Sequence, residues 1–132
     1  MHRTAFFVAV HSVHAGFCTT QVVSYKQGQE FGLHHDAGTV NIETETVELV
    51  EPARLATFFV YLKTMPDGVG HTEFPWLKSP VSVRPEAGQA ILFCNVTQDG
   101  KADAKTSHMA RPVEGDFEKL GMNLWLCPTA RS

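Results

Sequence analysis

The chain lacks the features that mark several classes of protein. No apolar run approaches the length of a membrane-spanning helix, and the formal net charge is −3, which gives no basis for binding nucleic acid or an anionic membrane surface. The three cysteines, Cys18, Cys94 and Cys127, are an odd number without a CxxC spacing. This pattern argues against a zinc site and against a disulfide framework. We therefore predict that all three are buried free thiols.

Length and composition are those of one ordinary globular domain, because the chain has 132 residues, of which 43% are hydrophobic and 19% charged. Arg3 precedes a short apolar run at 5–10, which predicts a strand or short helix that packs on the domain. This interpretation favours an intracellular soluble protein. The alternative is that residues 1–15 are a signal for the secretory route. Oligomeric state is not predicted.

Short apolar runs separated by glycine and proline predict a mainly β protein, either a sandwich or a jelly roll. The predicted extended segments are 20–25, 30–36, 54–63, 70–74, 81–83, 89–95, 105–110 and 119–127. Of these, 54–63 is expected to be a buried central strand. Residues 37–53 are acidic and predict an exposed hairpin or mobile loop, with a loop that folds over a substrate as the functional alternative.

His34 and Asp36 are two residues apart in a segment predicted to be extended, so both side chains should point to the same face. An imidazole and a carboxylate could bind one metal ion there, with His108 as the best candidate for a third ligand. Two histidines and one carboxylate form the facial triad of non-haem Fe(II) oxygenases. The alternative is that these are ordinary turn or surface residues. His35 should point to the opposite face, toward solvent or a substrate edge.

The other histidines are predicted not to bind the metal. His71 lies within a motif at 70–75 and so could be mistaken for a metal ligand, but we expect that it is not one. Asp103 is expected to be a loop residue. The remaining three, which we expect to be exposed or hydrogen-bonded, are His2, His11 and His14.

Most of the chain, from about Val22 to Trp125, carries a series of short motifs in one order. They are Tyr25-x-x-Gly28-Gln29, His34-x-Asp36, Arg54-x-x-Thr57-x-x-x-Tyr61-Leu62, Gly70-x-Thr72-x-Phe74-Pro75, Pro85-x-x-Gly88-x-Ala90-x-x-Phe93, Ser107-His108, Pro112-Val113, Lys119 and Asn123-x-Trp125. In this order they resemble the prolyl 4-hydroxylase branch of the 2-oxoglutarate- and Fe(II)-dependent dioxygenases.

The resemblance implies a double-stranded β-helix, or jelly roll, with one catalytic domain over 1–132 and a core at about 20–127. It implies that the predicted triad binds Fe(II) and that Lys119 pairs with the far carboxylate of 2-oxoglutarate. Hydroxyls that would help to hold this cosubstrate are those of Tyr25, Thr57 and Tyr61. Further implied reactants are O2, ascorbate as reductant, and a prolyl residue in a peptide or protein as substrate.

The chain departs from the family pattern at two places that affect these expectations. The segment before His34 is short, which predicts a truncated N-terminal helical part. One extra residue lies between Pro112 and Lys119, which could move the lysine out of register. Two other functions therefore stay open: a non-catalytic jelly-roll binding module, and a cupin-like metalloenzyme that does not use 2-oxoglutarate.

Overall fold

The computed structural model describes residues 6–10 and 17–128, and its architecture is almost entirely β. Within these residues there is no α-helix, and the single helical turn is a 3-10 helix at Ala104–Thr106. The strands are β1 (Phe6–Val10), β2 (Phe17–Tyr25), β3 (Phe31–His34), β4 (Gly38–Asn41), β5 (Thr46–Leu49), β6 (Ala56–Tyr61), β7 (Thr72–Phe74), β8 (Val81–Val83), β9 (Ala90–Cys94), β10 (His108–Ala110) and β11 (Lys119–Leu126).

Two antiparallel sheets form the body of the fold. The larger has the order β1-β2-β11-β6-β9, the smaller has the order β3-β10-β7-β8, and β4 pairs with β5 as a separate hairpin. Both sheets contribute side chains to one cavity between them. Apart from β1–β2 and β7–β8, the neighbours in each sheet are non-consecutive in sequence, as expected for a jelly roll. The predicted mainly β jelly roll is confirmed.

Strand β11 lies in the middle of the larger sheet and shows why alternate residues face inward. Its buried positions include Lys119, Gly121 and Trp125, which are two or four residues apart and share one face. A Cβ at Gly121 would clash with the Phe59 ring on neighbouring β6, so a larger residue there would force that ring to move. The inner face of β11 is therefore fixed by close packing against β6.

The predicted strands at 54–63 and 105–110 are each partly corrected. Strand β6 lies between β11 and β9, as expected for an interior strand, but Phe58 on its outer face is 39% exposed. In the second segment only His108–Ala110 is a strand. The preceding turn is a 3-10 helix because the Asp103 carboxylate accepts a hydrogen bond from the Lys105 backbone N–H. Asp103 is thus a loop residue, as predicted.

The acidic segment 37–53 contains a hairpin, one of the two structures predicted for it. Strands β4 and β5 pair in register from Gly38 opposite Leu49 to Asn41 opposite Thr46. The Asn41 side-chain oxygen accepts hydrogen bonds from the backbone N–H groups of two following residues and so closes the turn. The glutamates of this hairpin are exposed.

The prediction of three buried free thiols is wrong. Cys18 and Cys127 form a disulfide, with Cα atoms 5.5 Å apart, and Cys94 is free but exposed. The two bonded residues are 109 positions apart in sequence. They meet because β2 and β11 pair antiparallel along their whole lengths, a long-range pairing that cysteine spacing cannot reveal.

The N-terminal segment contributes a strand, in agreement with one of the two structures expected for it. Strand β1 pairs antiparallel with β2, from Phe6 opposite Ser24 to Val10 opposite Thr20. The predictions for His2, His11 and His14 lie outside the described residues. In the part of the chain that is described, no helix is long and apolar enough to cross a membrane.

Candidate metal and cosubstrate site

The three predicted metal ligands converge at one point between the sheets. His34 ends β3 and His108 begins β10, and the two residues are direct partners in the antiparallel register of these strands. Asp36 lies in the turn after β3. Its Oδ1 is 3.6 Å from Nε2 of His34 and 3.5 Å from Nε2 of His108. All three ligand atoms lie within 4.8 Å of one another.

Backbone carbonyls orient both imidazoles toward this point. Nδ1 of His34 is 2.8 Å from the Gly32 carbonyl oxygen, and Nδ1 of His108 is 2.9 Å from the Thr106 carbonyl oxygen. Because a carbonyl only accepts, each Nδ1 carries the proton and donates it. In the neutral imidazoles, each Nε2 then presents a lone pair toward Asp36. This is the arrangement in which metal-binding histidines are usually held.

The Asp36 carboxylate has one oxygen engaged by the protein and one directed at the imidazoles. Its Oδ2 accepts hydrogen bonds from the Thr57 hydroxyl and from Nε1 of Trp125, at 2.5 Å and 3.1 Å. Burial alone would raise the pKa of Asp36, but the neighbouring imidazoles and these two hydrogen bonds hold it below its ordinary value. Asp36 is therefore ionised, with Oδ1 facing His34 and His108.

Three potential ligand atoms that face one another form a site that could hold a cation. Burial and the nearby His108 lower the pKa of His34 to about 4, so that its ring is neutral near pH 7. Its Nε2 is then available to a metal ion beside the Asp36 carboxylate. Two imidazole nitrogens and one carboxylate oxygen match the donor preference of Fe(II) in facial triads. The residues present fit a ferrous ion.

A cavity of about 300 Å³ extends from this cluster into the space between the sheets. Aromatic rings form much of its wall around the histidines: Phe31 lies 3.9 Å from the His34 ring, and Phe93 lies 4.9 Å from the His108 ring. Apolar walls with a few polar groups are typical of small-molecule sites. The cavity wall is formed by Gln21, Val23, Tyr25, Phe31, His34, His35, Asp36, Arg54, Phe59, Thr72, Ile91, Phe93, His108, Ala110, Lys119, Asn123 and Trp125.

Lys119 lines the same cavity and is 1% exposed. Its register opposite Tyr25 on β2 keeps it on the inner face, despite the extra residue that precedes it in sequence. Nζ donates a hydrogen bond to the Gly70 carbonyl oxygen at 2.6 Å, and burial lowers its pKa to about 8. Among the described residues no carboxylate forms an ion pair with it. An ammonium without a counter-ion suits an anionic ligand.

The three hydroxyls expected at the cosubstrate have different surroundings. Tyr25 lines the cavity, and burial together with the charge of Asp36 raises its pKa to about 12. Tyr61 is fully buried and donates a hydrogen bond to the Thr72 hydroxyl at 2.8 Å. Thr72, and not Tyr61, lines the cavity. Thr57 is bonded to Asp36 and is not part of the wall.

His35 is buried rather than exposed to solvent, contrary to one of the two positions predicted for it; it lines the cavity, so the other position, a substrate edge, stays a prediction. It is 6% exposed, and its ring nitrogens contact the Asp103 carbonyl oxygen and the Ala37 backbone N–H. A tight turn after β3 draws the ring against the 3-10 helix instead of outward. His71 lies apart from the metal cluster and bonds Gly68 and Ser82, as expected for a residue that is not a ligand.

Two groups near the site were not identified from the sequence. The Arg54 guanidinium lies 3.6 Å above the Trp125 ring, and both residues line the cavity. Asn95 is fully buried and donates from Nδ2 to the Thr57 hydroxyl oxygen at 2.9 Å. Arg54 and Trp125 belong to the family motifs, but nothing in the sequence indicated that the two side chains are in contact. Asn95 carried no signal of its own.

Comparisons with known proteins agree with this geometry. The sequence profile described as the 2OG-Fe(II) oxygenase superfamily matches residues 20–127. Probable prolyl 4-hydroxylase 11 of Arabidopsis thaliana is 35% identical over 98 residues, which cover 70% of this chain and 30% of that protein. Prolyl 4-hydroxylase subunit alpha-1 of Gallus gallus is 33% identical over 93 residues, which cover 70% of this chain and 17% of that protein.

A solved structure is also similar to this chain. The viral collagen prolyl hydroxylase vCPH from Paramecium Bursaria Chlorella virus-1, in its 2OG complex, is 32% identical with a TM-score of 0.70. The similarity covers 86% of this chain and 60% of that one. The chain thus spans less than a third of the curated relatives described above and somewhat more than half of the viral enzyme. On the strength of the profile match and the shared fold, the chain belongs to the 2OG-Fe(II) oxygenase superfamily.

Proposed function

We propose that this chain is a prolyl 4-hydroxylase-like dioxygenase that uses Fe(II), 2-oxoglutarate and O2 to hydroxylate a C–H bond, with release of succinate and CO2. Residues 1–132 would act as a single catalytic domain with its core at about 20–127. The observation that carries the proposal is the presence of a metal-binding triad and an unpaired buried ammonium in one cavity.

Fe(II) would be held by Nε2 of His34, Oδ1 of Asp36 and Nε2 of His108. When bound with its cosubstrates, the ion supplies the oxidising chemistry that no side chain can provide. The protein's own work is to keep these three donors deprotonated and aligned. The Gly32 and Thr106 carbonyls fix the imidazoles, and hydrogen bonds to Oδ2 fix the carboxylate. Apolar walls around the donors limit the access of water.

Lys119 would neutralise the far carboxylate of 2-oxoglutarate. Its Nζ has one carbonyl partner, Gly70, and an ammonium can donate three hydrogen bonds, so capacity for an anion remains. Tyr25 beside it would add a hydroxyl donor that stays protonated at neutral pH. For Tyr61 we propose a contribution through Thr72. Thr57 is better explained as an orienting partner of Asp36, because its proton is engaged there.

The proposed substrate is a prolyl residue in a peptide or protein, with ascorbate as the reductant that maintains ferrous iron. Support for the substrate comes from the relatives, which are named as prolyl 4-hydroxylases, and from the collagen prolyl hydroxylase named for the viral structure. The exposed acidic hairpin at 38–49 follows the ligand Asp36 closely in sequence. It could therefore contact a peptide that enters the cavity.

The two other functions considered for the chain are less well supported. A non-catalytic binding module does not require three metal-directed donors with their orienting hydrogen bonds. A cupin-like enzyme without 2-oxoglutarate gives no reason for Lys119, which is buried at the cost of desolvating an ammonium. Similarity to a cupin domain from Bordetella pertussis, at 12% identity and a TM-score of 0.53, reflects the shared fold alone.

The test is to incubate the purified chain with Fe(II), 2-oxoglutarate, ascorbate and a proline-rich peptide under air. Mass spectrometry should find a peptide that has gained one oxygen atom, and the same peptide with alanine in place of proline should stay unmodified. Equal modification of both peptides would reject proline as the target. Metal binding without any 2-oxoglutarate-dependent product would favour the cupin-like alternative.

A further inference from the structure

A chain of three buried side chains leads from the residue after strand β9 to the metal site. Nδ2 of Asn95 donates to the Thr57 hydroxyl oxygen at 2.9 Å, and the Thr57 hydroxyl donates to Oδ2 of Asp36 at 2.5 Å. Asn95 is 0% exposed and Thr57 is 1% exposed, so water does not compete for either bond. Asn95 lies at the end of this chain and touches none of the metal-directed atoms.

The direction of these hydrogen bonds follows from what each group can donate. A hydroxyl has one proton, and it can accept a hydrogen bond on its oxygen. Because the Asn95 amide donates to that oxygen, the Thr57 proton is free to point at Asp36. If the amide were reversed, its carbonyl oxygen would compete for that proton, and the Thr57 oxygen would face the carboxylate with lone pairs only. The carboxylate of Asp36 therefore selects the donating orientation of Asn95.

The position of Asn95 is fixed by its backbone. Its N–H donates to the Leu55 carbonyl oxygen at 2.8 Å, and its own carbonyl oxygen accepts from the Asp103 N–H at 2.9 Å. The side-chain Oδ1, in contrast, is buried and has no hydrogen-bond partner within the described part of the protein. A buried amide with an unsatisfied oxygen adds little to stability. Its useful contribution is then the single bond to Thr57.

We propose that Asn95 is a positioning residue for the metal-binding carboxylate, acting through Thr57. By donating to the Thr57 oxygen it commits the Thr57 proton to Oδ2 of Asp36, which leaves Oδ1 to face the metal. This inference rests on the proposed function, since it assumes that Asp36 is a metal ligand. Residues that orient metal ligands in this way typically change metal affinity about 10- to 100-fold when they are replaced.

The experiment measures Co(II) affinity by calorimetry, because Co(II) accepts the same nitrogen and oxygen donors and is not oxidised during the titration. Asn95→Leu keeps the branched shape and the number of heavy atoms of the side chain and removes the donor, and we expect it to lower Co(II) affinity about tenfold. Its melting temperature should stay close to that of the parent, since the lost amide was half unsatisfied. Asn95→Ala is the second variant and should lower affinity in the same direction.

A double-mutant cycle separates positioning from simple packing. In a Thr57→Val background the mediating hydroxyl is absent, so adding Asn95→Leu should cause no further loss of Co(II) affinity. In a Thr57→Ser background, which keeps the hydroxyl, Asn95→Leu should again cost about tenfold. Equal losses in the valine and serine backgrounds would overturn the proposal, as would unchanged affinity in both Asn95 variants.

His34→Ala serves to test the metal site independently. We expect it to abolish Co(II) binding whatever residue stands at position 95. If His34→Ala bound Co(II) as the parent does, the proposed function itself would fail. That result is distinct from a failure of the Asn95 proposal, in which His34→Ala loses the metal while the Asn95 variants do not.

Discussion

Replacement of Lys119 by methionine tests the proposed cosubstrate site most sharply, because methionine is unbranched and only one atom shorter than lysine and removes its charge. Without the ammonium, the far carboxylate of 2-oxoglutarate would be buried without a partner. Loss of one member of a buried ion pair costs about 3–5 kcal/mol, and about 1.4 kcal/mol corresponds to a tenfold change in affinity. Lys119→Met should therefore weaken 2-oxoglutarate binding by roughly two to three orders of magnitude.

The assay is an anaerobic titration of 2-oxoglutarate into Fe(II)-loaded protein, followed by the absorption band of the chelate. Lys119→Arg should recover part of the affinity, limited by the bulk of the guanidinium. Lys63→Met is a matched control, since Lys63 is exposed and pairs with Glu118 at the surface. The Kd of this control should not change. An unchanged Kd for Lys119→Met would remove Lys119 from the cosubstrate site.

The same substitution, Lys119→Met, should increase the free energy of unfolding although it weakens 2-oxoglutarate binding. Burial lowers the pKa of Lys119 from 10.5 to about 8, which at about 1.4 kcal/mol per pH unit corresponds to a cost of about 3 kcal/mol for burying the ammonium. This cost is fully present below pH 8 and diminishes as pH rises from about 8 to 10.5, because there the unfolded chain binds more protons. Lys119→Met should thus unfold at higher denaturant concentration than the parent at pH 7, with a smaller difference at pH 10. A constant difference across this range would contradict the reasoning.

The remaining predictions concern the metal ligands, the hairpin and the disulfide. Alanine at any proposed ligand should abolish Fe(II) binding measured by calorimetry. These ligands are His34, Asp36 and His108. His35→Ala should lower stability yet keep Fe(II) affinity in the folded protein. Loss of Fe(II) binding in this variant, with binding kept in His34→Ala, would mean that His35 rather than His34 is the ligand. Shortening the hairpin at 38–49 should raise the KM for peptide while succinate formed without peptide stays nearly constant; equal loss of both would make it structural. Replacing Cys18 and Cys127 by serine should lower the free energy of unfolding by about 2–5 kcal/mol in denaturant titrations, and an unchanged midpoint would mean the bond does not stabilise the fold.

Local sequence patterns predicted most of the strands and the pairing of His34 with Asp36. His34 and Asp36 lie two residues apart. The pairing predicted from this spacing is retained although Asp36 belongs to the turn after β3 and not to the strand. Their distance from His108 could not follow from spacing, since it depends on the register in which β3 and β10 pair. His108 was chosen as a candidate from the sequence, and the order of the family motifs supported that choice. The confirmed fold class also depended on this order, because short strands alone are equally typical of a sandwich.

Contacts between distant residues account for what the sequence did not reveal. The Cys18–Cys127 bond depends on the pairing of the first long strand with the last, and the spacing rules for cysteine are local. His35 was expected to face solvent or a substrate edge on the basis of strand alternation, which ends where the chain turns at Asp36. The hydrogen bond from Asn95 to Thr57 joins residues 38 positions apart, since Thr57 is on β6 and Asn95 directly follows the adjacent β9.

The most direct test of the account is the formation of succinate from 2-oxoglutarate by the purified chain with Fe(II), ascorbate and O2. We predict succinate in amounts that rise with added proline-rich peptide, and none above background for Asp36→Ala, in which the carboxylate between the two histidines is removed. Both proteins should be folded by circular dichroism before they are compared. Succinate formation by Asp36→Ala at the rate of the parent would contradict the assignment of the active site.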